Sequence, residues 1–220
     1  MKLFVTGTDT DVGKTYVSVG ILKALNQQGL STLGIKPVAS GCVAQGDKFY
    51  SQDALALQEA SSIKLDYDKI NPFAYEPPIA PHIAAKQVHE DLSVAQIRKK
   101  MQYLLKNLAD VYLFEGVGGW YVPLNDQETM ADFVKKAHLN VILVVGVRLG
   151  CINHALLTFK AMQKDKVNIL GWVANCVDSN MQVCAENIAT LQHWLPILCL
   201  GVISYQQRPE QVLDVAHFLK

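Results

Sequence analysis

The residues Leu3-Phe-Val-Thr-Gly7-Thr-Asp-Thr-Asp-Val-Gly13-Lys14-Thr15 constrain the fold of this chain more than any others. A β-prone apolar run passes straight into a glycine-bounded loop. The segment 14–27 that follows carries Val17, Ile21, Leu22 and Leu25 at helical spacing. A strand, loop and helix joined in this way aim several backbone N–H groups at one point, where the helix dipole also favours negative charge. That point holds a phosphate, with Lys14 reaching the outer phosphates and the Thr15 hydroxyl binding magnesium. Residues 8–12 put five positions between the two glycines, where the usual pattern has about four. The loop is therefore a variant.

Further β-rich runs at 32–38, 111–115, 141–147, 169–175 and 197–203 are nearly continuous in apolar character, as parallel strands covered on both faces must be. Together with a strand at 3–6 and crossover helices at 14–27 and 94–108, they spell repeated βαβ units. The expected fold is a three-layer α/β sandwich of the P-loop NTPase kind, with a mostly parallel central sheet flanked by helices. Residues 1–220 read as one domain, because half of the chain is apolar and no linker or repeat divides it. Residues 42–90 form an irregular insertion with a short helix near 53–60 and a proline cluster at Pro72, Pro77, Pro78 and Pro81. Lying beside the carboxyl ends of the strands, this insertion is expected to wall a substrate site.

Charge narrows the function. Twenty basic and twenty acidic residues cancel, and only Arg98, Arg148 and Arg208 are arginines, so nothing favours nucleic acid or an anionic membrane. A small-molecule substrate is the better expectation. The cysteines at 42, 151, 176, 184 and 199 have neither the spacing of a zinc site nor the setting of a disulfide framework, and read as apolar filler in a reducing cytosol. No apolar run is long enough for a signal peptide or a membrane span, so a cytoplasmic protein is expected.

A magnesium nucleotide needs carboxylates. Glu115 ends the third strand, just before Gly116-Val117-Gly118-Gly119, in the region where such sheets collect ligands. Asp53 starts the short helix in the insertion, where it either caps the helix or faces the site. Lys36 sits on a strand otherwise built for burial, two strand widths at most from the phosphate loop. There it either forms a structural ion pair or contacts the transferring phosphoryl group. The amide of Asn175, at the end of the fifth strand, offers a donor and an acceptor to a purine edge, though turn formation is the alternative. At 150–153 a helix begins, with Asn153 as a candidate cap. His82 and His154 lack partners at metal-ligand spacing.

Taken in order, Gly7-Thr-Asp-Thr-Asp-Val-Gly-Lys-Thr15, Lys36-Pro-Val-Ala-Ser-Gly41, Glu115-Gly-Val-Gly-Gly-Trp120, Gly146-Val-Arg-Leu-Gly-Cys-Ile-Asn-His154 and Gly171-Trp-Val-Ala-Asn175 resemble the dethiobiotin synthetase family across most of the chain. The resemblance implies an ATP-dependent carbon–nitrogen ligase. In that reaction 7,8-diaminopelargonate takes up carbon dioxide as a carbamate, ATP phosphorylates the carbamate, and the second amine closes a ureido ring. It further implies Lys36 and Lys14 as catalytic groups and Thr15, Asp53 and Glu115 as magnesium ligands. The nucleotide would touch Asp11, Val12, Gly13, Lys14, Thr15, Tyr16, Asp53, Glu115, Gly116, Val117, Gly118, Asn175 and Cys176, and also Ser204, Tyr205 and Gln206, where the family often carries a proline. Glu210 is a weaker nucleotide contact. Thr10 and Ser40 would meet the substrate. Gly150, Cys151, Ile152 and Asn153 would hold its carboxylate across a homodimer interface. Replacing Lys36 with alanine is then expected to abolish turnover while leaving the fold intact. An amide-forming enzyme of the cobyrinic acid diamide synthase kind usually adds a glutaminase domain, for which this chain has no room. A partition-type P-loop ATPase carries a lysine early in the loop, where this chain has Thr8.

Overall fold

The computed structural model of the chain describes residues 1–106 and 108–219. Strand β1 (Lys2–Gly7) leads into α1 (Lys14–Gln27) and β2 (Thr32–Ile35). The insertion follows as β3 (Val38–Ala39), the hairpin of β4 (Val43–Gln45) and β5 (Lys48–Tyr50), α2 (Gln52–Ala60), α3 (Tyr67–Ile70), β6 (Phe73–Ala74) and α4 (Pro81–Gln87). Beyond it come α5 (Val94–Lys100), β7 (Val111–Glu115), α6 (Met130–Ala137) and β8 (Asn140–Gly146). Then follow α7 (Cys151–Lys164), β9 (Ile169–Asn175), α8 (Cys184–Trp194) and β10 (Cys199–Ile203), with 3₁₀ turns at Pro209–Gln211 and Ala216–Leu219 after it.

Six strands form one parallel sheet in the order β10-β9-β8-β1-β7-β2. Successive side chains of a strand point to opposite faces, and the continuous apolar runs fill both. Leu3, Val5, Leu113, Ile142 and Val144 pack beneath α1 against Val17, Ile21 and Leu25. Their neighbours Phe4, Phe114, Leu143 and Val145 join Phe133 of α6 and Phe159 of α7 on the other face. This is the three-layer arrangement expected from the strand pattern.

The predicted second strand, 32–38, is two pieces. It leaves the sheet after Ile35, because Pro37 has no N–H to donate and the Lys36 N–H turns to the Ile70 carbonyl at 3.0 Å. Val38–Ala39 pairs instead with Phe73–Ala74, so the chain peels away and carries Lys36 to the sheet edge. The predicted helix 94–108 stops at Lys100. There the Met101 N–H is shared between the carbonyls of Ile97 and Arg98, and a 3₁₀ turn, Gln102–Lys106, takes over. Residue 107 of that predicted helix lies outside the described residues. Boundaries elsewhere shift by a residue or two, as at β10, which starts at Cys199 rather than 197.

Candidate active site

Strand order brings the chemistry together. Because β7 lies between β1 and β2, Val5 sits opposite Glu115 and Ile35 opposite Phe114. The phosphate loop after β1, Glu115 at the end of β7 and Lys36 just past β2 therefore crowd one stretch of the sheet's carboxyl edge, where parallel α/β sheets hold their ligands. Lys36 is the hub. Its Nζ donates to Glu115 Oε1 at 2.6 Å, Asp53 Oδ2 at 3.0 Å and the Gly116 carbonyl at 3.0 Å. Glu115 is wholly buried and Lys36 is 2% exposed. Burial by itself would lower the Lys36 ammonium, but Glu115 and Asp53 outweigh it and hold the group above its usual range.

Asp53 is free for this work because Ser51, not Asp53, caps α2 by accepting from the Ala54 N–H. Burial pushes the Asp53 carboxyl up, whereas Lys36 and then Thr15 pull it down, and the net shift is downward. The Thr15 hydroxyl donates to Glu115 Oε1 at 2.7 Å. Among the described residues, Glu115 Oε2 is buried without a partner. An orphaned anionic oxygen beside a carboxylate and a hydroxyl is a donor set made of hard oxygens, which suits magnesium, a cation that uses few protein ligands and keeps part of its water shell. The residues present fit that ion.

Lys14, 7% exposed, has its Nζ on the Asp9 carbonyl at 2.9 Å. Burial, and then repulsion from Lys36, lowers its ammonium to about 8, a lysine in want of an anion. Gly13 takes φ 85° to begin α1, and a Cβ there would run into the Asn175 amide. That amide donates to the Val12 carbonyl at 2.9 Å and braces the loop from behind.

A cleft of about 840 Å³ opens in front. Thr10, Asp11, Gly13, Lys14, Thr15, Lys36, Ser40, Asp53, Val117 and Gly118 line it, so most of the expected phosphate, metal and substrate residues meet there. Pro78, Ile79, Ala80 and Pro81 of the insertion form its outer wall, opposite Tyr121, Val122 and Pro123. The proline cluster signalled the first group, whereas only the proximity of Tyr121 and Val122 to the Gly116–Gly119 run hinted at the second.

Three expected groups lie elsewhere. Asn175 and Cys176 end β9 behind the loop, beside β10, where the Cys176 N–H meets the Ile203 carbonyl. Ser204, Tyr205 and Gln206 follow β10 in a turn pinned over the start of α1, where the Tyr16 hydroxyl donates to the Gln207 carbonyl at 2.9 Å. Gly150, Cys151, Ile152 and Asn153 are absent from the cleft lining. Asn153 does not cap α7; Gly150 holds the N-cap place at φ 91°, so the free N–H groups there meet no side chain of their own turn.

The sequence profile of the family described as an AAA domain matches residues 1–211. An ATP-dependent dethiobiotin synthetase of Cellvibrio japonicus is 50% identical over 200 residues, 91% of this chain and 87% of that protein. One of Pseudomonas aeruginosa is 45% identical over 214 residues, 97% and 94% of the two chains. Among solved structures, the septum site-determining protein MinD of Pyrococcus horikoshii, with Mg-ADP, superposes at TM-score 0.55 and 15% identity, covering 100% of this chain and 90% of that one. Cobyrinic acid a,c-diamide synthase of Mycobacterium smegmatis, with ADP and magnesium, gives 0.56 at 16% identity, covering 96% and 90%. At such identity these two likenesses are of fold alone. The sequence relatives, matched over nearly their whole length, carry the assignment: this chain belongs to the ATP-dependent dethiobiotin synthetase family.

Proposed function

We propose that the chain closes the ureido ring of dethiobiotin from 7,8-diaminopelargonate, carbon dioxide and ATP in a cytoplasmic homodimer. The observation that carries this reading is the buried Lys36–Glu115–Asp53–Thr15 cluster at the floor of the cleft that Lys14 also enters. One amine of the diamine takes up carbon dioxide as a carbamate. A carbamate oxygen attacks the γ-phosphorus, the bond to the bridging oxygen breaks, and ADP leaves. The second amine then attacks the carbamate carbon of the mixed anhydride, loses a proton and expels phosphate.

Each step gathers negative charge around the phosphoryl oxygens, and fixed cations stabilise such charge best where water is excluded. Lys36 is preset there by two carboxylates, and Lys14 is poised to exchange the Asp9 carbonyl for phosphate. Thr15, Asp53 and Glu115 would hold magnesium, which screens the phosphates and polarises the phosphoryl group. The loop residues Asp11, Val12, Gly13 and Tyr16 and the Gly116-Val117-Gly118 turn would follow the nucleotide. Asn175, Cys176, Ser204, Tyr205 and Gln206 would flank its base, with Glu210 beyond them. Thr10 and Ser40, both in the cleft lining, would meet the diamine.

The dimer is supported by the start of α7. Residues 150–153 are not among those lining the chain's own cleft, and beside them Leu149 is 97% and Leu157 60% exposed. Such apolar exposure marks contact surfaces. A second copy packed there would bring those free N–H groups to the substrate carboxylate. Among the described residues no helix is long and apolar enough to cross a membrane, in keeping with a cytoplasmic site of action. The test is ADP release measured with diaminopelargonate, bicarbonate and magnesium. ATP turnover indifferent to the diamine would sink the reading, and sedimentation at the mass of one 24.3 kDa chain would sink the dimer.

A further inference from the structure

Ring closure as set out above leaves one contact unused. Arg148 Nη2 donates to Asp9 Oδ2 at 2.7 Å, across 139 positions of sequence. Asp9 lies in the phosphate loop, within the five-residue spacer that exceeds the usual pattern. Its other oxygens are engaged too: Oδ1 accepts from the Thr10 N–H at 2.8 Å and its carbonyl from Lys14 Nζ. Arg148 belongs to the turn that enters α7, and its carbonyl accepts from the Cys151 N–H at 3.0 Å. One ion pair thus ties the loop that carries Thr10 and Lys14 to the turn that opens α7, where no side chain caps the helix. Both side chains are about half exposed, so the pair adds little to stability; it joins the two loops that follow the paired strands β1 and β8, beyond their last paired residues Gly7 and Val144.

We propose that Arg148 and Asp9 are positioning residues: their ion pair holds the start of α7, residues 150–153, in the orientation in which it receives the diamine carboxylate of the adjoining copy. This rests on the ring-closing reading, in which that turn serves the cleft of the adjoining copy. A guanidinium suits the task because its planar fork holds one orientation against a carboxylate. Small errors are costly here, because misplacing reacting groups by ~1 Å can slow a reaction about a hundredfold.

The test is steady-state kinetics of the full-length enzyme with each substrate varied in turn. Asp9→Asn keeps the acceptor for Thr10 and the carbonyl for Lys14 while removing the charge, and Arg148→Gln removes the other partner. Each is expected to raise KM for the diamine about tenfold while KM for ATP stays within about twofold, because binding lost in one ground state leaves the other untouched. Arg148→Lys should recover most of the loss. The double variant should be no worse than the poorer single, as for two residues that act through each other. ADP affinity and the thermal midpoint, measured on the same samples, should match wild type. Equal rises in both KM values, additive losses, or Arg148→Lys as impaired as Arg148→Gln would each overturn the inference. If wild-type ADP release does not depend on the diamine, the ring-closing reading fails. If it does and the variants are unchanged, only the positioning role fails.

Discussion

Replacing Lys36 by methionine should unfold this protein far more readily than the loss of one side chain's packing would explain. The ammonium faces a carboxylate that is 0% exposed, at 2.6 Å, and the other oxygen of that carboxylate already has no partner. Methionine fills the volume but leaves Glu115 with only the Thr15 hydroxyl. Removing one member of a buried ion pair costs ~3–5 kcal/mol, because the surviving charge stays out of water uncompensated. That is a large part of the ~5–15 kcal/mol that holds a native domain together. With an m-value near ~2 kcal/mol/M in urea, the midpoint should fall by about 2 M at unchanged slope. Magnesium should be removed with EDTA so that no cation substitutes for the ammonium.

The decisive comparison is Lys36→Met/Glu115→Gln. With both charges gone, no uncompensated charge stays buried, so the penalty carried by the single variant is removed. The double variant should regain most of the lost midpoint yet form no product, which separates the structural part of Lys36 from its chemical part. If the single variant loses under ~1 kcal/mol, as an exposed pair would, or if the double is as weak as the single, the reasoning is wrong. The sequence-based expectation of an inactive but intact Lys36→Ala protein is revised for the same reason.

Gly13→Ala should forfeit nucleotide binding, because the methyl group displaces the Asn175 amide and a left-handed residue with a Cβ costs ~1–2 kcal/mol; an ADP affinity within about twofold of wild type, by calorimetry, would contradict this. ADP binding at pH 8 should take up about half a proton, since Lys14, depressed to about 8 by burial and by Lys36, is recharged by phosphate. Calorimetry in buffers of different ionisation enthalpy measures that uptake, and its absence, or its persistence in Lys14→Met, would refute the assignment. In α6, Asp132 accepts from both the N–H and the hydroxyl of Thr129. Burial opposes its charge, but the Thr129 N–H and Lys135 hold the carboxyl down to about 2. Its contribution is therefore complete above the unfolded value of 3.8 and lost as pH falls through about 2. Asp132→Asn should accordingly cost ~1 kcal/mol near neutrality, with the gap closing towards pH 2; a gap independent of pH would show that the charge is irrelevant.

What could be read from the sequence was whatever is local. The phosphate loop, its helix, the apolar strands and the residue types of the metal site each announce themselves within a dozen positions, because backbone geometry and period are short-range effects. Strand order is long-range, and it decides what Lys36 is. With β7 between β1 and β2, Lys36 stands against Glu115; in another order the same lysine, just past β2, would not meet that carboxylate. Of the two readings open at the sequence level, the ion pair is the one observed, and the proposed phosphoryl contact is compatible with it. The carboxylates that neutralise Lys36 are the ones proposed to hold magnesium, so the cluster would stay charge-balanced by exchanging partners when a magnesium nucleotide binds. Helix α6 was missed although Thr129-Met-Ala-Asp132 spells a capping box, and Asp9–Arg148 was missed because nothing in either segment names the other. A contact between two loops has no period to betray it, and the pairing of β1 with β8 that brings these loops together is itself long-range, so this part of the site had to be seen in three dimensions.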